Sequence, residues 1–284
     1  MIHNSIPILY EDNDVLVVNK PAGLVVHSDG RTKEPTIVDW ILEQYPDIKN
    51  VGDSPLVKGQ LSKVNSSERS LDRSGIVHRL DRETSGALII AKNQTTFARL
   101  KKQFQRGEVH KTYHAFVYGS VKHDDGLIDR SIARSRTNPV LWSATRGKRG
   151  EEREAITEYR VLGRLILPYQ GEHSPSAARR GVTAKDSPLF SFLELYPRTG
   201  RTHQLRVHLK AINYPIVCDK LYAPARVQRA GGQNREPALG FTRLALHSRS
   251  VSFVHPTSGK RIMIEAPYPA DFLKAKNLLG ISNI

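Results

Sequence analysis

The densest chemical cluster in the chain is HRLDRETSG, residues 78–86. It sets Asp81 between Arg79 and Arg82, with His78 and Glu83 close by, and it ends in small residues. Opposite charge within a few ångströms keeps a carboxylate ionised. An ionised carboxylate in a cleft can act as a nucleophile or as a base. Taken alone, the same residues also fit a salt-bridged turn, since short motifs recur by chance. A second cluster, TGRTHQLRVHLKAI (199–212), places Arg201, His203 and Arg206 on a helical pattern. These groups suit a phosphate or a partner carboxylate, and in isolation they also suit a solvated helix face. KTYHAFVYG (111–119) offers Tyr113 on an alternating strand, where aromatics are commonly half-buried.

Other chemistries find no support. KPAG (20–23) lacks the GxxxxGK[ST] spacing of a phosphate loop. The 11 histidines show neither HExxH nor Cys/His ligand spacing, so no metal is expected. The hydrolase elbow GxSxG is absent. Cys218 lies in the apolar YPIVCDKLY and reads as a packed residue. As the only cysteine it can form no internal disulfide, which points to a reducing cytoplasm. No run of eighteen apolar residues is present and the N-terminus lacks a secretory pattern, so neither a membrane span nor a membrane partner is expected. Charge is more informative. Lys and Arg number 43 against 28 Asp and Glu, a net +15, and such a field draws in polyanions, nucleic acid foremost.

The elements that must position these groups are legible in outline. ILYEDNDVLVVN (8–19) reads as two short strands around a turn at Asp12–Asp14. Residues 36–45 repeat apolar residues at helical spacing and stop at Pro46. GALIIA (86–91) has the apolar run of a buried strand, so HRLDRETSG sits on the loop entering it. Asn93 caps a following helix with Phe97, Leu100 and Phe104 inward, and Gly107 ends it. Strands are expected at 112–118, 155–162, 189–196, 249–254 and 261–266, with a helix near 202–212. Residues 49–75, 145–154, 170–188 and 224–240 are polar and read as surface loops. Strand blocks with few helices and no βαβ alternation argue for an α+β fold around a largely antiparallel or mixed sheet. One catalytic domain over 1–284 is expected, with no separate module at either end.

In order, KPAGLVVH, HRLDRETSG, KTYHAFVYG and RTGRTHQLRVHL resemble the RluA-type pseudouridine synthases, from about Ile8 to about Pro267. The resemblance implies the pseudouridine synthase fold, a mixed, mainly antiparallel central sheet with flanking helices and loops and a cleft across it. It implies isomerisation of uridine in RNA, with uracil detached from C1′ and rejoined through C5, and with no cofactor. It implies Asp81 as the catalytic aspartate, Tyr113 as the tyrosine that stacks on the base, and Arg206 as the arginine that pairs with the aspartate. Arg79 matches a residue that fills the gap left by an extruded base; His78, Arg201 and His203 are expected at the substrate. The RNA partner is expected to be large-subunit ribosomal RNA, with transfer RNA as the alternative, and no obligate protein partner is expected. A non-catalytic RNA-binding protein on the same fold and a uracil-releasing glycosylase remain the readings from other classes. The chain departs from the family at Asn213 and Cys218, where glycine is common, and in its long 49–75 and 170–188 segments.

Overall fold

Backbone hydrogen bonding by Asp12 turns the chain between its first two strands. Its Oδ1 accepts the N–H groups of Asp14 (2.8 Å) and Val15 (2.7 Å), joining β1 (Ile8–Glu11) to β2 (Val15–Lys20) as an antiparallel hairpin. The computed structural model describes residues 6–28, 34–53, 74–138, 140–145, 147–166, 189–224 and 238–281. It has an α+β fold with a mixed, mostly antiparallel central sheet and few helices. Two compact units are present, Met1–Thr112 with His247–Pro267 and Tyr113–Leu246 with Tyr268–Ile284.

In the first unit, β3 (Ser85–Ala91) is buried along its whole length. It pairs antiparallel with β2, Val17 opposite Ile89, and parallel with the start of β11 (Leu246–Val254), His247 opposite Ser85. A strand with neighbours on both sides and protein on both faces has no polar period to show, so GALIIA reads as unbroken apolar sequence. Strand β12 (Arg261–Glu265) adds antiparallel to β11. Gly86 stands at the parallel junction with φ +113°, and a Cβ there would lie 2.2 Å from the Ser248 carbonyl oxygen. Only glycine permits that approach.

Helix α1 (Ile37–Gln44) opens with a Thr36–Asp39 capping box. Helix α2 (Gln94–Arg106) is capped by the Asn93 side chain and closed by Gly107 in the left-handed region. Phe97 and Leu100 face inward as expected, but the third inward residue is Gln103 rather than Phe104. Its amide forms two hydrogen bonds with the Val254 backbone, at 2.7 and 2.9 Å, satisfying a buried polar group.

The second unit is built on an antiparallel ladder. Strand β4 (His110–Tyr118) begins in the first unit and runs on into the second, where it pairs with β10 (Leu189–Pro197). Strand β10 pairs in turn with β9 (Ile156–Ile166), and β9 with β5 (Asp125–Asp129). Phe116, Phe192, Phe241 and Phe272 form its aromatic core, the first two stacked at 4.5 Å. Helices α3 (Gln204–Ala211) and α4 (Ala270–Leu278) complete the unit.

A separate three-stranded sheet has β6 (Ile132–Ser135) at its centre, between β7 (Trp142–Ser143) and β8 (Lys148–Arg153). This corrects the reading of 145–154 as a loop. KRGEER carries no apolar alternation because β8 is exposed along nearly its whole length, and its strand character comes from pairing with β6. The other three polar segments, 49–75, 170–188 and 224–240, lie largely outside the described residues.

Asn213 (φ 68°) and Cys218 (φ 58°) both occupy the left-handed region, which favours glycine. Cys218 is held by Sγ on the Phe241 carbonyl at 3.0 Å. Cys218→Gly should stay within about 1 kcal/mol of wild type, because relief of the backbone offsets the lost side chain. Cys218→Val should cost about 2 kcal/mol or more, since a β-branched residue tolerates positive φ poorly. Urea unfolding of the two variants checks this; equal stability would mean that the backbone angle imposes no strain.

Candidate active site

The loop carrying Asp81 is held from beneath by a buried lysine. Lys20, the last residue of β2, is fully buried, and its Nζ donates to the carbonyl oxygens of Pro21 (2.8 Å), Leu24 (2.7 Å) and Arg82 (3.0 Å). Three N–H donors on three carbonyl dipoles satisfy an ammonium that would otherwise be too costly to bury. The Gly23 N–H donates to the same Arg82 carbonyl at 2.9 Å, and Arg82 Nε returns a bond to the Gly23 carbonyl at 3.1 Å. Arg82 also forms an exposed ion pair with Glu34. KPAG is therefore the seat of the HRLDRETSG loop. Within that loop the Thr84 N–H closes a turn on the Asp81 carbonyl at 3.1 Å, and the Asp81 residue is left half-buried.

Lys20→Met keeps the length of the side chain and removes its donors. Leaving three carbonyls without this partner should cost about 2–4 kcal/mol. Isomerisation should fall well beyond what the loss of folded protein explains, because the turn bearing Asp81 loosens. Unfolding and single-turnover rates measured below the melting transition check this. Wild-type rates in folded Lys20→Met would show that the clamp is not needed for the chemistry.

His78 performs a different task from the one its charge suggests. Its Nε2 accepts the Ile89 N–H at 2.9 Å, which places the ring proton on Nδ1. The ring stacks on Phe104 with centroids 4.8 Å apart. Burial, and after it the neighbouring Lys111 cation, push its pKa down to about 3, so the imidazole is neutral at working pH. Burial pushes Lys111 down to about 8. His78 thus ties the loop to β3 and supplies no positive charge. Arg79, one residue on, is exposed.

The other expected residues lie in the second unit. Tyr113 on β4 lies opposite Leu195 of β10 and is 8% exposed. The pleat turns the adjacent His114 to the opposite face, where its ring nitrogens contact Glu194 Oε1 (3.3 Å) and Tyr268 OH (2.6 Å). Helix α3 begins at His203, in the left-handed region, and two buried side chains pin it. Gln204 accepts from Thr199 Oγ1 and the Arg201 N–H and donates to the Ile156 carbonyl and Thr157 Oγ1. His208 bridges Thr157 and the Arg130 carbonyl.

That anchoring fixes Arg206. Its guanidinium makes a bidentate pair with Asp219, Nε to Oδ2 and Nη2 to Oδ1, both at 2.8 Å, and it lies 5.0 Å over the Tyr222 ring. Asp219, 1% exposed, also accepts the N–H groups of Leu221 and Tyr222. Tyr222 OH is 2.8 Å from His203 Nδ1, so His203 and Arg206 gather around one aromatic ring. Arg201 stays exposed and donates from Nε to the Glu154 carbonyl at 2.9 Å. Asp219, Tyr222 and Lys20 are the residues that motif reading missed. The available signal was DKLY, an aspartate opening a tight turn at 219–222.

Among the described residues one further group has metal-ligand geometry, Asp12, Asp14 and His255. Its atoms are committed elsewhere. His255 Nδ1 accepts the N–H groups of Thr257 and Ser258, so Nε2 carries the proton that it donates to Asp12. Asp12 also accepts from Tyr10, and Asp14 accepts from Asn93 and Thr257. This is a hydrogen-bonded latch across the first unit. No helix among the described residues is long and apolar enough to cross a membrane.

Comparison with known proteins agrees with these local arrangements. A family model for RNA pseudouridylate synthases matches residues 14–211. The chain is 34% identical over 269 residues to an uncharacterized RNA pseudouridine synthase, slr1629, of Synechocystis sp., covering 94% of this chain and 67% of that protein. It is 33% identical over 274 residues to the ribosomal large subunit pseudouridine synthase D of Xanthomonas campestris, covering 96% and 69%. The fold matches that of human RNA pseudouridylate synthase domain containing 1, with a TM-score of 0.64 and 24% identity over 95% of this chain and 87% of that one. The HRLDRETSG loop, the tyrosine strand and the arginine helix thus stand in a chain that belongs to the RNA pseudouridine synthases of the RluA type, a family of isomerases.

Proposed function

We propose that this pseudouridine synthase acts on uridines of large-subunit ribosomal RNA and that Asp81 carries the chemistry. The observation that supports the assignment most is the loop itself. The Asp81 carboxylate sits half-buried on a turn whose backbone is fixed by a buried ammonium, with Glu83 two residues on. Fixed geometry of this kind is what a reacting group requires. Two routes suit Asp81, covalent attack or removal of a sugar proton to give an eliminated intermediate. In either route the bond from C1′ to N1 breaks, the uracil turns, a new bond forms from C1′ to C5, and the C5 proton leaves to solvent while N1 takes one up.

The other roles follow the family resemblance. A uracil stacked in a helix offers neither C1′ nor C5 to a side chain, so the nucleotide flips out at a cost of a few kcal/mol. Tyr113 takes the flipped base by stacking, Arg79 fills the space it leaves, and Arg206 balances the charge of Asp81. Arg201 and His203 hold the phosphates around the target. His78 serves the site by position, as a neutral ring. No cofactor or metal enters the scheme. The ribosomal assignment is supported by the names of relatives such as the synthase D proteins of Xanthomonas campestris and Yersinia pestis.

Pseudouridine mapping across all cellular RNA, with and without the gene, tests the proposal. One or a few large-subunit sites should disappear. Loss confined to transfer RNA moves the substrate there, and no loss anywhere leaves an RNA-binding protein. Free uracil among the products of the purified enzyme would make it a glycosylase.

A further inference from the structure

The three-stranded sheet of the second unit carries a cationic face that the reaction does not use. Some of its charge is neutralised locally: Lys148 pairs with Glu152, and Arg153 lies 3.5 Å from Glu151. Arg134, Arg136 and Arg149 are exposed, and among the described residues neither Arg136 nor Arg149 has a carboxylate within ion-pair distance. The register makes the arrangement unfavourable by itself. Arg134 on the central strand lies directly opposite Arg149 on β8, and like charges at a cross-strand pair are destabilising. On its other side Arg134 pairs with Trp142, and its guanidinium lies 4.3 Å over the indole ring. Stacking holds the planar fork in a fixed orientation at the surface.

This face is mechanically joined to the helix that carries Arg206. Ile132, Ala144 and Ala155 pack with Val207 and Tyr222 in one cluster, with Trp142 against it. The Trp142 N–H donates to Tyr222 OH at 3.2 Å, and the same hydroxyl meets His203. Force applied to the sheet therefore reaches α3 directly at Val207 and also by way of Tyr222.

We propose that this sheet is an auxiliary RNA-backbone platform, in which Arg134, Arg136 and Arg149 take phosphates of the substrate RNA away from the target nucleotide. The proposal rests on RNA being the substrate. An RNA strand relieves the Arg134–Arg149 repulsion with phosphates that accept bidentate guanidinium bonds. Chain-wide charge also favours a polyanion.

The test measures binding of a fluorescein-labelled oligouridylate of about 20 nucleotides between about 50 and 200 mM KCl. Arg134→Gln with Arg149→Gln should flatten the log–log salt slope by about 1.4, two phosphates at about 0.7 each. Arg149→Gln alone, which leaves the Trp142 stack in place, should flatten it by about 0.7. Arg134→Lys with Arg149→Lys should keep the slope and weaken binding several-fold, since the charge stays and the planar fork is lost. A control pair, exposed Lys49→Gln with Lys260→Gln, removes the same charge from the first unit and should change the slope by less than half a contact. Equal flattening in the control pair would reduce the effect to diffuse charge, and a wild-type slope in the double glutamine variant would remove the platform altogether. Tighter binding of polyglutamate than of the oligouridylate, lost in the double variant, would assign the face to an acidic protein. Binding is read without turnover, so a failed pseudouridine map would overturn the proposed function and leave this comparison intact.

Discussion

Asp81→Asn should abolish isomerisation while leaving RNA binding and the fold nearly unchanged. The substitution exchanges one oxygen for nitrogen, so volume and turn geometry persist. The Asp81 backbone carbonyl still closes the turn with Thr84, and the Lys20 clamp acts on Arg82 rather than on the Asp81 side chain. What disappears is the charge, and with it either the nucleophile or the base. Loss of an essential reacting group typically costs about three orders of magnitude or more in turnover. Single-turnover tritium release from 5-tritiated uridine in RNA measures the chemical step, and oligouridylate binding measures affinity. Turnover by Asp81→Asn within tenfold of wild type would remove this carboxylate from the chemistry.

Arg206 should be costly on two counts that can be separated. Arg206→Ala leaves Asp219 buried without its bidentate partner, and stranding one member of such a pair costs about 3–5 kcal/mol. Arg206→Lys should recover part of this, since a point charge replaces a planar fork. Arg206→Met combined with Asp219→Asn removes both charges and keeps an acceptor for the Leu221 and Tyr222 N–H groups. That double variant should regain most of the stability, because a neutral pair has no stranded ion. If Arg206 also balances Asp81, activity should not return with stability. Chemical denaturation alongside turnover reads the two effects. A stable, fully active double variant would confine Arg206 to a structural role.

Much of this organisation can be read from local sequence. The Asp12 turn, the Asn93 cap, the Gly107 stop and the buried run of β3 each depend on residues within a few positions of one another. The chemical motifs were legible because their residues are contiguous. What escaped was set by distant partners. A lysine at a strand end ordinarily points to water, and Lys20 is buried only because Arg82, 62 residues later, offers its carbonyl. Asp219 reaches Arg206 through a turn that needs a left-handed cysteine. Strand β8 has almost entirely exposed side chains, so no hydrophobic period marks it. Gln103 outranks Phe104 inside the protein because two backbone groups of Val254 require it. Lys101 on α2 is paired with Asp53, a partner 48 positions earlier in the chain.

The parallel seam between β3 and β11 has a consequence for how the protein is made. Ser85 and Gly86, at the end of the HRLDRETSG loop, take their neighbour from His247 and Ser248, about 160 positions downstream. The first unit is thus interrupted by the second and closes only when its last segment arrives. At ribosomal rates of about 5–20 residues per second, the nascent chain waits several seconds or more with one side of β3 unpaired. The antiparallel ladder β4–β10–β9–β5 lies within one continuous stretch and can pair meanwhile, although Phe272 joins its aromatic core only afterwards. The backbone that ends the Asp81 loop therefore gains its second neighbour only after residues 247–254 clear the exit tunnel, which makes this seam one of the last contacts the first unit can form.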